Sequence, residues 1–478
     1  MRIEHDSLGE LGVPEDAWYG IHTQRALGNF QLLGVPVARE LVCAMADVKR
    51  ACARTNGELG CLPADKAQAI MRACHEVAAG DYTESISLDA LQGGAGTSLN
   101  MNLNEVIANR AEVLLGGRRG EYRLVDPLAH VNLHQSTNDV FPTALRIAAI
   151  RGVHRLEAAL AALQGALQAQ EQAFAGVFKL GRTQLQDACP TSLGASFGAW
   201  AEAIGRDRWR VFKCEERLRV VNLGGTAIGT GITAPREYIF RVTESLREVT
   251  RLGLARAENL IDATQNADVF VEVSGILKAH AVNLYKISAD LRLLASGPRG
   301  GFAEITLPAW QVGSSIMPGK VNPVICEAVA QAAMYAVSQD AAVTLAAQSG
   351  QLELNAFLPL IAHGLLGSLD VLERGSRLLA DKCIAGIEAN ASRCAEHLDH
   401  SLGMATALVP LIGYARAAEL AAEAQATGRT LREVALAGGG LDAATLDRHL
   451  GVGAMTALGS GAAPLPAGSH IKSESQET

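Results

Sequence analysis

The sequence predicts an all-α protein, and three observations carry that expectation. Aromatic residues make up only 4% of the 478 positions while hydrophobic residues reach 49%, so the core must be built from Ala, Leu, Val and Ile. Alanine and leucine are strong helix formers. Ile150, Val153, Leu156, Leu160, Leu163 and Leu167 then step by three and four, an unbroken apolar stripe over about five helical turns. A chain this long exceeds one ordinary core and divides into two or three domains.

In chain order, residues 1–35 read as irregular, with Gly and Pro punctuation around Tyr19-Gly20-Ile21-His22-Thr23-Gln24-Arg25. Residues 40–79 follow a helical pattern broken near Leu62-Pro63. The turn at Gly93, Gly94 and Gly96 precedes another helix, which Thr97 or Ser98 is placed to cap, leaving spare amide donors for an anion. Pro142 stands where a helix begins. Beyond the first stripe, low-aromatic helical runs cover roughly 194–221, 236–256, 268–296 and 324–347. Long helices with narrow stripes argue for a bundle whose faces also meet other subunits. The glycine loop at 224–231 lacks GxGxxG spacing and a preceding strand, so no dinucleotide site is expected. Past about residue 396 the helices shorten to 415–426, 431–436 and 442–450. The expected domains are a mostly helical 1–139, a central long-helix bundle 140–395 and a small helical 396–456, followed by a disordered tail 457–478.

Charge and cysteines narrow the function. A net charge of -8 gives no basic field, which argues against nucleic acid as a partner. Nine cysteines are scattered without a CxxC pair or a histidine at ligand spacing, so no metal site is expected and a reducing cytoplasm suits them. The first six residues form no apolar signal core, and the most hydrophobic stretch, 404–414, is broken by Pro410 and Gly413. It is shorter than the ~20 residues a membrane span needs. A soluble, cytoplasmic protein without a membrane segment is expected.

Four polar blocks carry the chemistry. The first is Gly313-Ser314-Ser315-Ile316-Met317-Pro318-Gly319-Lys320-Val321-Asn322-Pro323, a loop by virtue of its glycines and prolines. Lys320 supplies a compact cation for a carboxylate, and Asn322 both donates and accepts. A serine beside a fixed cation can be held partly as an oxyanion, which makes it a base. Read alone, the same stretch is also a polar surface turn. The other three blocks are Gly96-Thr97-Ser98-Leu99-Asn100-Met101-Asn102, His130-Val131-Asn132-Leu133-His134-Gln135-Ser136-Thr137-Asn138-Asp139, and Gly181-Arg182-Thr183-Gln184-Leu185-Gln186-Asp187. Each alone also reads as a helix-capping motif. Together, many neutral donors and one lysine suit a small, doubly charged anion.

In this order the four blocks resemble the aspartase/fumarase superfamily, whose GSSxMPxKxNP loop matches residues 313–323, and the likeness runs from Arg2 to about Leu450. The resemblance implies three mostly helical domains, and a homotetramer around a twenty-helix core with each active site shared by three subunits. Within the superfamily, His22 and Thr137 are nearer to aspartate ammonia-lyases than to fumarate hydratases, which tend to carry glutamine and serine there; Gln184 stands where fumarate hydratases and also some aspartate ammonia-lyases have histidine, and glutamine there is known among the latter. The implied reaction is reversible anti-elimination of ammonia from L-aspartate to fumarate through an aci-carboxylate. In that scheme Ser314 is the base and Lys320 its catalytic partner. Thr97, Ser136, Thr137 and Ser315 hold the β-carboxylate. Thr183, Lys320 and Asn322 hold the α-carboxylate, and Asn138 and Gln184 face the amino group. No organic cofactor is required; a divalent ion such as Mg²⁺ modulates some relatives, but nothing here has ligand spacing for one.

The chain departs from the family at three places. His134 stands at a usually small position and reads as a packed histidine. Asp126-Pro127-Leu128-Ala129 replaces a His-Pro-Asn-Asp turn, which argues against a second anion site, and Ala195-Ser196 replaces the common Gln-Glu. Fumarate hydratase, a lyase for argininosuccinate or adenylosuccinate, and a non-catalytic protein of the same fold remain alternatives at this point.

Overall fold

A computed structural model describes residues 1–438 and 440–451, so the expected tail and the end of the expected C-terminal domain lie outside the described residues. The chain is mainly helical, as its composition predicts, with only short two-stranded pairs. Its first 35 residues are ordered rather than irregular. Strands β1 (Arg2–Asp6) and β2 (Gly9–Val13) form an antiparallel hairpin with Arg2 opposite Val13, and helix α1 spans Ile21–Asn29. Polar ties hold this segment, which is why apolar periodicity did not reveal it. Arg2 donates to Glu4 and to the carbonyls of Pro14 and Ala17. Buried Glu105 accepts the main-chain N–H groups of Gly20, His22 and Thr23.

The Leu62-Pro63 break separates α2 (Arg39–Glu58) from α3 (Ala64–Ala79), with Pro63 immediately before the first helical residue. Next come α4 (Thr97–Leu114) and the 37-residue α5 (Thr137–Ala173). Helix α5 starts ahead of Pro142, not at it. Proline cannot donate to the carbonyl of Asn138, and the side chain of Asn222 supplies that bond instead at 3.0 Å. Strands β3 (Phe178–Thr183) and β4 (Gln186–Ser192) form a second hairpin, followed by α6 (Leu193–Leu218).

Strand β5 (Val220–Val221) pairs in parallel with β6 (Ala255–Arg256), so α7 (Arg236–Thr250) ends before residue 256. The short α8 (Leu260–Gln265) leads into α9 (Asp268–Leu294), β7 (Ile305–Thr306), α10 (Val324–Gln348) and α11 (Leu358–Lys382). Helix α11 was not anticipated, although its buried Leu358, Ile361, Leu365, Leu369, Leu372 and Leu379 keep helical spacing. Strand β8 (Glu388–Ala389) pairs with β7 ahead of α12 (Ala391–Asp399), α13 (Ala405–Thr427), α14 (Leu431–Ala437) and α15 (Ala443–His449).

The chain forms two compact units. Met1–Ala161, Gly205–Tyr285 and Ala328–Arg377 make the first. Ala162–Ile204, Lys286–Glu327 and the chain from Leu378 make the second. The first has a dense aliphatic core in which Met45, Val48, Ile70, Leu103, Val106 and Leu145 are fully buried. In the second, Leu408, Leu420, Leu431, Val434 and Leu446 pack around Leu180 of β3. Among the described residues no helix is long and apolar enough to cross a membrane.

Candidate active site

The first unit holds Thr97, Ser136, Thr137 and Asn138. Ser136 immediately precedes α5; its Oγ accepts from Asn138 N at 3.2 Å, and Asp139 Oδ1 accepts from Ser136 N at 2.9 Å. This reciprocal arrangement, an acidic variant of the capping box, fixes the start of the helix. Buried Thr137 is held by Asn100 Nδ2 of α4 at 3.1 Å, which links the Thr97 block to the Ser136 block. Neither Thr97 nor Ser98 caps α4. Thr97 Oγ1 donates to Gly94 O at 2.7 Å, and Gln92 Oε1 accepts the Leu99 N–H at 2.8 Å in their place. The tight Gly93-Gly94-Ala95-Gly96 turn folds Gln92 over the helix start. Gly96 adopts φ +93°, and a Cβ there would lie 2.2 Å from the Phe141 ring, so no other residue fits.

Sequence reasoning gave no role to the residue that ties this block together. Asp139 is fully buried, and its Oδ2 accepts from Gly224 N at 3.1 Å and Thr226 N at 3.0 Å. The glycine loop is therefore wrapped around a carboxylate of its own chain. Burial raises Asp139 to about 7, against the pull of those N–H donors. Asn138 Nδ2 donates to Ala227 O of the same loop at 2.7 Å. Lys49, also fully buried and lowered by burial to about 8, reaches Gln135 Oε1 at 3.2 Å. His134 is a packed histidine: Nδ1 meets Asn56 Oδ1 at 2.7 Å and the ring lies 5.2 Å from that of Tyr238. The amides of Leu128 and Ala129 donate to Asp126 itself, so that turn already carries its own anion.

The second unit holds the other six residues. Thr183 and Gln184 stand exposed at the tip of the β3–β4 hairpin. Thr183 pairs with Gln186, and Gln184 and Leu185 both take positive φ, +54° and +62°, the geometry of a two-residue primed turn. Such turns favour Asn-Gly; a glutamine and a leucine here are strained, a feature that clusters at functional sites. Behind the tip, the fully buried Glu304 gathers Arg182 at 2.7 Å, Lys179 at 3.2 Å and His397 Nδ1 at 3.0 Å. Burial alone would raise Glu304, but Lys179, His397 and Arg182 outweigh it and hold the carboxyl below its usual range.

Glu304→Gln should therefore cost about 3 kcal/mol at pH 7, because two buried cations lose their counter-charge. The folded carboxyl titrates below its unfolded value of ~4.3, so its contribution is present above that pH and fades as pH falls through the folded value. Thermal melts should show the gap between wild type and variant narrowing in acid. An equal gap at pH 7 and pH 3.5 would assign the loss to packing rather than charge.

The loop that follows β7 is pinched at its neck. Asn322 Nδ2 donates to Gly313 O, and a Cβ on Gly313 would lie 2.2 Å from Lys320 O, so only glycine permits the closure. Within it, Ser314 Oγ accepts from Ile316 N at 3.3 Å and Met317 N at 2.9 Å. Ser315 and Lys320 are exposed, and Lys320 Nζ has no hydrogen-bond or ion-pair partner among the described residues. Ala195 and Ser196 lie in the first turn of α6, where Ser192 Oγ accepts the Ala195 N–H at 2.9 Å.

Comparison with known proteins gives the class first. A family profile described as lyase matches residues 9–337, and one described as fumarase C C-terminus matches residues 404–457. The chain is a lyase on a helical-bundle fold. It is 50% identical to an aspartate ammonia-lyase of Pseudomonas aeruginosa, covering 93% of this chain and 94% of the relative. It is 44% identical to one of Bacillus subtilis, covering 91% and 92%. A Brucella melitensis structure described as fumarate lyase:delta crystallin bound to cobalt superposes with TM-score 0.91 at 49% identity, over 94% of this chain and 98% of that one. A class II fumarase from Schistosoma mansoni gives 0.90 at 34% identity, with the same coverage. The chain belongs to the aspartase/fumarase superfamily. Among its described residues no three His, Cys, Asp or Glu side chains converge to hold a metal ion.

Proposed function

We propose that this chain eliminates ammonia from L-aspartate reversibly, giving fumarate. The observation that carries it is Ser314 Oγ receiving two main-chain N–H bonds inside a loop whose Lys320 is unpartnered among the described residues. Two amide donors favour the ionised form of a hydroxyl. Ser314 thus takes the Cβ proton as an alkoxide. The electron pair flows into the β-carboxylate, held by Thr97, Ser136, Thr137 and Ser315, and the resulting aci-carboxylate expels neutral ammonia from Cα. Each hydroxyl donor aimed at that developing charge contributes on the order of 3 kcal/mol. Thr183, Lys320 and Asn322 hold the α-carboxylate, and Asn138 and Gln184 face the amino group. The substrate's own carboxylate is the electron sink, so no organic cofactor enters the scheme.

The working form we infer is a cytoplasmic homotetramer of three-domain chains (1–139, 140–395 and 396–456), each site drawing on three subunits. Among the described residues α5, α6, α9, α10 and α11 each run 25 residues or more, and five such helices per chain is the number a four-chain, twenty-helix core requires. Helix α10 supports this, because Met334, Val337 and Leu345 are 53%, 39% and 59% exposed on the isolated chain. The test is absorbance in the fumarate band, first with L-aspartate and then with L-malate. A neutral glutamine at position 184 should favour the ammonium, so aspartate is the faster substrate. Faster formation from malate would place the chain among the hydratases.

A further inference from the structure

Cys326 and Cys383 are in sulfur–sulfur contact in the second unit. Their Sγ atoms lie 3.6 Å apart and both residues are buried, one in the first turn of α10 and the other just past the end of α11. The place matters because both stems of the 313–323 loop rest on it. Cys326 follows the loop directly. Before the loop, Trp310 Nε1 donates to Lys382 O, and the Lys382 ammonium sits 3.9 Å from the centre of the Trp310 ring. The turn at 382–383 therefore carries the loop's entry on one residue and its exit on the next.

We propose that Cys326 and Cys383 form an oxidant-responsive dithiol, converted by a hydroperoxide into a disulfide that locks the stem of the 313–323 loop. A cavity of about 10 Å³ beside the pair, bordered by Leu307, Pro308, Pro323 and Val324, is about the size of one water molecule. The two thiols are not equivalent. Either thiol can donate in this contact; with Cys383 as the donor, Cys326 is lowered, burial opposing and Arg292 assisting, while Cys383 is raised. Cys326 is thus the attacking thiolate.

Its sulfur bonds to one peroxide oxygen as the O–O bond breaks, and the departing hydroxide leaves as water with the thiol's proton. Cys383 then attacks the sulfenic sulfur. The S–O bond breaks, and a second water carries away the Cys383 proton. Two thiols and one hydroperoxide give one disulfide and two waters (an alcohol and a water for an organic hydroperoxide), and a dithiol reductant reverses the change. A disulfide needs sulfurs about 2 Å apart, so the contact must close by roughly 1.5 Å. That drags the first turn of α10 toward the end of α11, and the neck of the loop moves with it.

The effect on turnover rests on the loop assignment above, whereas the crosslink does not. The full-length protein is treated with hydrogen peroxide, then mapped without reduction and assayed for fumarate formation from aspartate. The expected result is one peptide joining Cys326 to Cys383, a loss of turnover of roughly tenfold or more, and recovery with dithiothreitol. Cys383→Ser, or Cys383→Ala if the serine variant folds poorly, should form no such peptide and show no reversible loss. Recovery of both thiols unmodified, while exposed Cys61 and Cys189 are oxidised, would overturn the proposal. So would a crosslink that leaves turnover unchanged. Untreated protein inert toward aspartate would sink the proposed function alone, since the mass map still reads the crosslink.

Discussion

Ser314→Ala loses fumarate formation from aspartate by on the order of 10³-fold or more, with a melting temperature close to that of the wild type. The size of the first effect follows from the role of a positioned base, worth roughly 10²–10⁴-fold, and from the absence of another acceptor built the same way in the loop. The second follows from what the substitution leaves alone. The neck of the loop is held by Asn322 and Gly313, not by the serine. The two N–H groups that lose their acceptor belong to Ile316 and Met317, which are 83% and 48% exposed, so water can take the place of Oγ. On the proposed assignment the residues that hold the two carboxylates are untouched, and substrate should still bind. A variant that keeps its kcat within about tenfold of wild type would show that another group removes the proton.

The helical fold was legible because an apolar stripe is a local signal. The stripe from Ile150 to Leu167 and the low-aromatic runs that became α6, α9 and α10 needed nothing but spacing. Helix α11 carries the same signal in the spacing of Leu358, Ile361, Leu365, Leu369, Leu372 and Leu379. The hairpins are different. Gln184-Leu185 carries no Asn-Gly mark, so the strained turn that lifts Thr183 to a tip leaves no trace in the pattern. The candidate site divides along the same line. Its four blocks are contiguous, and their hydroxyls and amides stand out at once. What organises them is not contiguous: Asp139 meets Gly224 across 85 residues, and Lys179 meets Glu304 across a longer gap still. Buried charges at such distances look like ordinary solvated residues until the chain is folded.

Ser314→Ala and Thr183→Ala, each inactive alone, regain activity when unfolded together and refolded as mixed tetramers. In sequence, the 37 residues of α5 separate the Ser136 block from the Thr183 block. The proposed three-subunit site takes one polar block from each chain, so Ser314 and Thr183 come from different chains. Within the second unit, no hydrogen bond or ion pair joins the hairpin at Thr183 to the loop at Ser314 among the described residues. In a symmetric tetramer a neighbouring chain running the other way returns the missing end to the site, and the same operation completes every site alike. Each mixed site then takes its serine and its threonine from different chains. With equal, random mixing each residue is intact half the time, so about a quarter of the sites hold both and should turn over at the wild-type rate. Mixed tetramers can be shown by tagging one variant and separating the species by charge. If those hybrids are as inactive as the parent variants, Ser314 and Thr183 serve a site within one chain and the shared-site arrangement is wrong.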